Sequence, residues 1–295
     1  MVSTLVVQAV ISGVVNGCIY ALIGLGLAVI FKGTRVVNAM QGEFAVIGAM
    51  VTVFALTHAG LPYAVAILCG IAVGALIGAV IYAFLVRKME DRNASEESYL
   101  VLTIGLAFAL SAAVLYFGGR DSHLLPAFGG DVIFQVFGGF IRGHGIWLVI
   151  ITLLTVYAIR LFYRKTMLGL SMMAASLDVD GATTTGINVH YMRLLTFALG
   201  GGVGAMAGIL ATPLVEVNFT MGLVFTLKGF AASIIGGLTN PLGAVFGGIT
   251  LGLLESLAVV GFPSGYKDVV ALSLLIIIMI IMPHGMLGRT GRKGG

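Results

Sequence analysis

The chain has 295 residues, of which 59% are hydrophobic and 9% charged, with a mean hydropathy of +1.10, whereas a soluble domain carries about 25% charged residues. This excludes a soluble globular protein. Sixteen Lys and Arg against twelve Asp and Glu leave a net charge of +4; without basic runs, that excess belongs to loops at a membrane surface, and a nucleic-acid interface is excluded.

A helix needs about 20 apolar residues to cross the hydrocarbon core, because lipid offers no partner for unpaired backbone groups. The first such stretch is 5–31, stopped by Lys32 and Arg35. The residues before it lack the basic region and small-residue cleavage site of a removable leader, so it is expected to stay in the membrane. The second is 39–58, with Glu43 near its start, and the third is 62–86, ending at Arg87 and Lys88. A polar loop over 87–97 leads to a fourth span, 99–117. A Gly-rich connection over 118–145 holds one or two short apolar pieces, and 146–163 is the fifth span. Residues 164–193 are the longest polar interval, and 194–215 is the sixth span.

Beyond it the pattern is interrupted by Gly236-Gly237-Leu238-Thr239-Asn240-Pro241, a turn-forming run that no single helix passes through. The sequence predicts a short helix over 227–235, a full span over 243–260 and a last span over 269–282 before a basic tail. The expected fold is all-α: one polytopic transmembrane bundle over 1–295 with about eight crossings, or nine if the short piece spans. Lys32 with Arg35, Arg87 with Lys88 and Arg92, Arg160 with Arg164 and Lys165, and Arg289 with Arg292 and Lys293 mark the cytoplasmic side.

The 43 glycines suit close helix contacts where no hydrophobic effect drives association. Gly70, Gly74 and Gly78 recur every four residues, as do Gly200, Gly204 and Gly208, and Gly248 with Gly252; each set reads as a packing stripe, or else as room for a solute. Cys18 and Cys69 lie in apolar stretches and read as buried small hydrophobes, with no disulfide or metal framework. His58, His123, His144, His190 and His284 fall far apart and read as solvated loop residues. No nucleophile elbow, metal cluster or phosphate-cradling GxxxxGK[ST] run is present. This chain is therefore not expected to bind ATP itself, and no cofactor is expected in it.

Ionisable residues within or beside apolar spans are costly and point to function. Glu43, Glu216, Lys228 and Glu255 are the four here. Glu43 is either functional or a carboxylate favoured by the positive end of its own helix, and Glu255 could pair with Lys228 or Lys267. In the interval 171–189, Asp178 and Asp180 are placed to cap a second short helix. Two short helices joined by a turn make a docking surface, or an ordinary amphipathic loop.

Four stretches in this order resemble the permeases of branched-chain amino acid type ABC importers. The first is Asn16-Gly17, Tyr20-Ala21-Leu22 and Gly24-Leu25-Gly26-Leu27, then Arg35-Val36-Val37-Asn38, Gly42-Glu43 and Gly48-Ala49. The second is Ala182-Thr183-Thr184-Thr185-Gly186-Ile187-Asn188-Val189. The third is Met221-Gly222 with Leu227-Lys228-Gly229-Phe230-Ala231, Gly236-Gly237 and Gly243-Ala244-Val245-Phe246-Gly247-Gly248. The fourth is Pro283-His284-Gly285-Met286-Leu287-Gly288. The chain departs from that family where Met173-Ala174 stands for a frequent Arg-Ala, Val179 for a Pro and His284 for a Gln.

The resemblance implies a pair of permeases, the second being a sister or another copy, forming a central path in the bacterial inner membrane. Two cytoplasmic ATP-binding subunits would dock on 164–193, through Ala174, Ala175, Asp178, Asp180, Ala182, Gly186, Ile187 and Asn188. A periplasmic binding protein would deliver the solute, and Asn38, Gly42, Glu43, Gly236 and Gly237 would line its path. Branched-chain amino acids are the first expectation, with urea, short amides and aromatic acids as relatives' substrates. An ion-coupled secondary transporter, which also uses broken helices, is the alternative; a membrane enzyme lacks a nucleophile and base.

Overall fold

The computed structural model describes residues 2–130, 132–238 and 240–261, together with Val269, Ser273, Ile276, Ile277, Ile280, Gly285 and Met286. The expected last span, Lys267, His284 and the basic tail lie outside the described residues, these seven positions excepted. Helices dominate, as the apolar runs require. In chain order they are α1 (Val2–Thr34), α2 (Gln41–Thr57), α3 (Tyr63–Ile81), a π-helical turn (Tyr82–Val86) running into α4 (Arg87–Glu90), and α5 (Glu96–Gly118). After a hairpin come α6 (Gly143–Lys165), α7 (Met167–Leu177), α8 (Val179–Thr184), α9 (Val189–Ala211), α10 (Met221–Gly236) and α11 (Pro241–Gly261). Six of the helical stretches are long and apolar enough to cross a membrane, whereas α2 and α10 have 17 and 16 residues. The molecule is thus a multi-pass helical membrane protein.

Two expectations are corrected. The connection 118–145 contains an antiparallel hairpin, β1 (Ile133–Val136) and β2 (Gly139–Arg142), pairing Ile133 with Arg142 and Val136 with Gly139. Its two-residue loop, Phe137 and Gly138, has φ of 50° and 84°, the conformation that matches strand twist in tight hairpins. The side-chain amide of Gln8 grips β2, accepting from Phe140 N at 2.8 Å and donating to Phe140 O at 3.1 Å. The second correction is α10, which starts at Met221 and not near 227, because Asn218 organises its entry: its Oδ1 accepts from Thr220 N and its carbonyl from Met221 N.

The core is a tight group of α1, α2, α3, α9, α10 and α11, with α9 in contact with α1, α2 and α3. Glycine makes this approach possible. A Cβ at Gly208 would collide with the backbone of Ala45, and the Gly70, Gly74 and Gly78 stripe lies against α2 and α9. The stripes therefore act in packing. Around this centre α5 and α6 present Phe108, Tyr116, Leu153 and Leu154 outward, as a lipid- or partner-facing rim.

The two faces of the bundle are recognisable from what the chain ends carry. Lys32 at the end of α1 lies over the Tyr163 ring at the end of α6, 5.4 Å from its centre. Arg193 at the foot of α9 pairs with Glu90 of α4 at 3.1 Å. Basic loops thus gather at one end, the end that the sequence expects on the cytoplasmic side. At the other end the backbones of His123 and Val217 bond reciprocally at 2.9 and 3.0 Å.

Candidate functional site

The path of the chain between α1 and α2 creates the site. After Thr34 the chain turns back, and α2 begins only at Gln41. There the Gln41 amide donates to the carbonyl of Gly200 at 3.0 Å, the midpoint of the 23-residue α9. A Cβ on Gly26, eight residues before the end of α1, would collide with that amide; the returning segment has climbed about 12 Å at the helical rise. Irregular backbone at this depth must be satisfied by protein groups. Val36 N donates to Thr34 Oγ1 at 3.3 Å, Ala39 N to Thr103 Oγ1 at 3.2 Å and Met40 N to Asn38 Oδ1 at 3.1 Å. Asn38 Nδ2 donates onward to Gln41 Oε1 at 3.0 Å.

The head of α2 meets α10 edge to edge. Gly42 N donates to Thr226 Oγ1 at 2.8 Å, and a Cβ on Gly42 would occupy the carbonyl of Gly222. Glu43 projects from the same turn onto Gly222, where a Cβ would collide with its carboxylate. This carboxylate is 3% exposed, and its Oε2 is buried without a hydrogen-bond partner. Two helix N-termini, those of α2 and α10, lend it their positive ends. Asn38, Gly42 and Glu43 therefore form one polar node at half depth.

Gly236 and Gly237 do not belong to that node. They lie at the opposite end of α10, about 20 Å from Gly222 at 1.5 Å per residue. Gly237, with φ 98°, ends the helix, and Met286 N caps the carbonyl of Ile235 at 2.7 Å. Asn240 Oδ1 accepts from Leu242 N at 3.2 Å, and Pro241 opens α11, where its missing N–H costs nothing.

The polar interval folds as two short helices. Thr166 caps α7 by accepting from Gly169 N, and Asp178 caps α8 by accepting from Gly181 N, each at 3.0 Å. Asp180 lies in the first turn of α8 without capping it. Gly186, at φ 82°, turns the chain, and Asn188 caps α9 by accepting from Tyr191 N at 3.0 Å. Ala175 and Ala182 are buried and Ala174 and Ile187 half-buried, while Asp178, Asp180, Gly186 and Asn188 are exposed. Met167, Leu177 and Val179 add exposed apolar surface. The foot of α9 is also tied to the π-helical turn: Tyr82 Oη donates to Glu90 Oε2 at 2.9 Å and lies 3.2 Å from His190 Nδ1.

The other ionisable residues resolve differently from one another. Glu216 is exposed. Lys228 pairs with Glu255 at 2.8 Å and donates to Tyr20 Oη at 3.0 Å, one of the two pairings the sequence left open. His144 corrects the solvated-loop reading: it is 1% exposed and stacked on Phe128. Its Nδ1 accepts from Phe128 N at 3.3 Å and its Nε2 lies 2.8 Å from Leu210 O, which selects the neutral tautomer protonated on Nε2. Sequence reasoning missed Gln41, Thr103 and Thr226, and it named Gly222 only within the stretch Met221-Gly222 that carries the family resemblance, without a place in the site.

A half-depth polar node inside a multi-pass helical bundle, with two short helices on its basic face, fits a membrane permease. The family described as branched-chain amino acid transport system / permease component matches residues 9–279, and the chain belongs to it. The high-affinity branched-chain amino acid transport system permease protein LivH of Salmonella typhimurium is 31% identical over 293 residues, 96% of this chain and 95% of LivH. The corresponding permease protein BraD of Pseudomonas aeruginosa is 28% identical over 299 residues, again 96% and 95% of the two chains. PsaBC from Streptococcus pneumoniae in complex with Fab shares the fold, with a TM-score of 0.51 at 15% identity, covering 96% of this chain and 92% of that one.

Proposed function

We propose that this permease forms the translocation path of an ATP-driven importer of branched-chain amino acids in the bacterial inner membrane, and that Glu43 meets the solute's ammonium group there. The buried Glu43 carboxylate at half depth, whose Oε2 has no hydrogen-bond partner among the described residues, carries this reading. A buried charge without a partner is expensive, and a zwitterionic solute passing the node supplies the missing cation while the surrounding helix ends favour its carboxylate.

Cytoplasmic ATP-binding subunits dock on α7 and α8, against the exposed Met167, Leu177 and Val179 and beside Asp178, Asp180 and Gly186. ATP itself is bound by those subunits. A second permease completes the path and a periplasmic binding protein loads it. Motion of α7 and α8 reaches α9 through the Gly186 turn and the Asn188 cap, and α9 holds Gln41 by the Gly200 carbonyl. Closing of the ATP-binding subunits is thereby relayed to the head of α2, where Glu43 sits.

The test is leucine uptake into proteoliposomes holding this chain with its second permease, ATP-binding subunits and binding protein. Uptake follows ATP and falls in Glu43→Gln with the complex intact. Uptake that follows an ion gradient without ATP overturns the importer reading; unaltered uptake in the variant overturns the role of Glu43.

A further inference from the structure

At the cytoplasmic end, a cleft of about 230 Å³ opens between α1, α6, α7 and the head of α11. Three cations line it: Lys32 from the last turn of α1, and Arg160 and Arg164 from the end of α6. The two arginines are four residues apart and share one helix face. Among the described residues no carboxylate lines the cleft, and the ion pairs use His190, Arg193 and Lys228 instead. Lys32 lies over the Tyr163 ring, a contact that fixes the ammonium without neutralising it. The head of α11 opens into the same cleft at Asn240 and Pro241, adding the partial positive charge of a 21-residue helix. Every electrostatic element here favours an anion.

The wall deeper in the membrane is of the opposite kind. Leu25 and Val156 line it, about 10 Å and 6 Å inward of Lys32 and Arg160 at the helical rise. An occupant must therefore be anionic at the cytoplasmic rim and apolar toward the bilayer. Basic clefts between spanning helices on this side suit lipid headgroups, and the cations sit in the last turns of spanning helices, at headgroup level.

We propose that this cleft is a binding site for the phosphate headgroup of an anionic phospholipid of the cytoplasmic leaflet, with one acyl chain running inward along the half-buried Val156. Met173 of α7 also lines the cleft, so the lipid abuts the two-helix platform. The lipid site stands independently of the Glu43 reading.

The experiment measures lipid retained by the assembled transporter in mild detergent, by native mass spectrometry. The probes are dioleoylphosphatidylglycerol, dioleoylphosphatidylcholine and sodium phosphate, each added alone and in competition. Phosphatidylglycerol is retained over phosphatidylcholine, and phosphate does not displace it. Each cation removed weakens retention by about fivefold, so Arg160→Gln with Arg164→Gln weakens it about 25-fold. The control pair Arg87→Gln with Lys88→Gln, exposed on the same face but outside the cleft, leaves it unchanged.

Equal losses in the two variants would assign retention to diffuse surface charge and overturn the site. Displacement by phosphate would make it an inorganic anion site. Retention seen in the permease pair but abolished on adding the ATP-binding subunits would give the cleft to an acidic group of those subunits. Each of these three outcomes overturns the lipid.

Discussion

Two carboxylates are buried in this bundle to nearly the same degree, Glu43 at 3% and Glu255 at 4% exposed, yet they differ in whether a cation lies beside them. Glu255 lies 2.8 Å from the Lys228 ammonium, beside Tyr20. Glu43 has two helix ends and a glycine nearby, and no ion pair among the described residues. The first arrangement satisfies a charge inside the protein and belongs to stability. The second leaves a carboxylate oxygen unsatisfied among the described residues, and the proposed transport role of Glu43 rests on it.

The largest effect that tests this contrast is on stability. Lys228→Met removes the ammonium beside Glu255 and should cost about 3 to 5 kcal/mol, read as an earlier unfolding transition of the purified chain. Adding Glu255→Leu should restore most of the loss. A single variant as stable as the parent would erase the distinction.

Glu43→Gln should do the reverse. Losing a charged hydrogen bond to solute costs about 1.5 to 3 kcal/mol, a fall of roughly 10- to 100-fold in ATP-dependent uptake, while the unfolding transition holds or rises because an unpaired buried charge is gone. An uptake loss that merely tracks lost stability would make Glu43 another structural carboxylate.

A smaller effect sharpens the comparison at the junction itself. Gly42→Ala should cost about 1 to 3 kcal/mol through overpacking against the Gly222 carbonyl, lowering both stability and uptake and so separating the geometry of the node from the charge of Glu43. The smallest effect lies at the platform. Asp178→Ala removes the α8 cap at a cost of about 1 kcal/mol and should weaken co-purification of the ATP-binding subunits about fivefold without moving the unfolding transition of the bundle.

Much of the fold was legible because helices in lipid must satisfy their backbone locally, so apolar runs and their basic stops write the spans directly into the sequence. The break at 236–241, the close-packed glycine stripes and the Asp178 cap were read in this way. The hairpin was hidden because β1 is exposed on both faces and lacks the alternation that marks a half-buried strand. His144 was misread because its partners, Phe128 N and Leu210 O, are backbone groups 16 and 66 residues away. For the site, Asn38, Gly42 and Glu43 were legible as a group, whereas their separation from Gly236 and Gly237 was not.

The sequence by itself determined that this chain lives in the membrane, where its spans and basic loops fall, and that it resembles a permease of the branched-chain amino acid transport family. Only the tertiary structure decided that α2 begins at the midpoint of α9, that Lys228 is the partner of Glu255, and that Glu43 has no ion-pair partner among the described residues. Helix formation depends on neighbours along the chain, but the partner of a buried charge depends on which helices glycine allows to touch, and those contacts join residues as distant as Gly42 and Gly222.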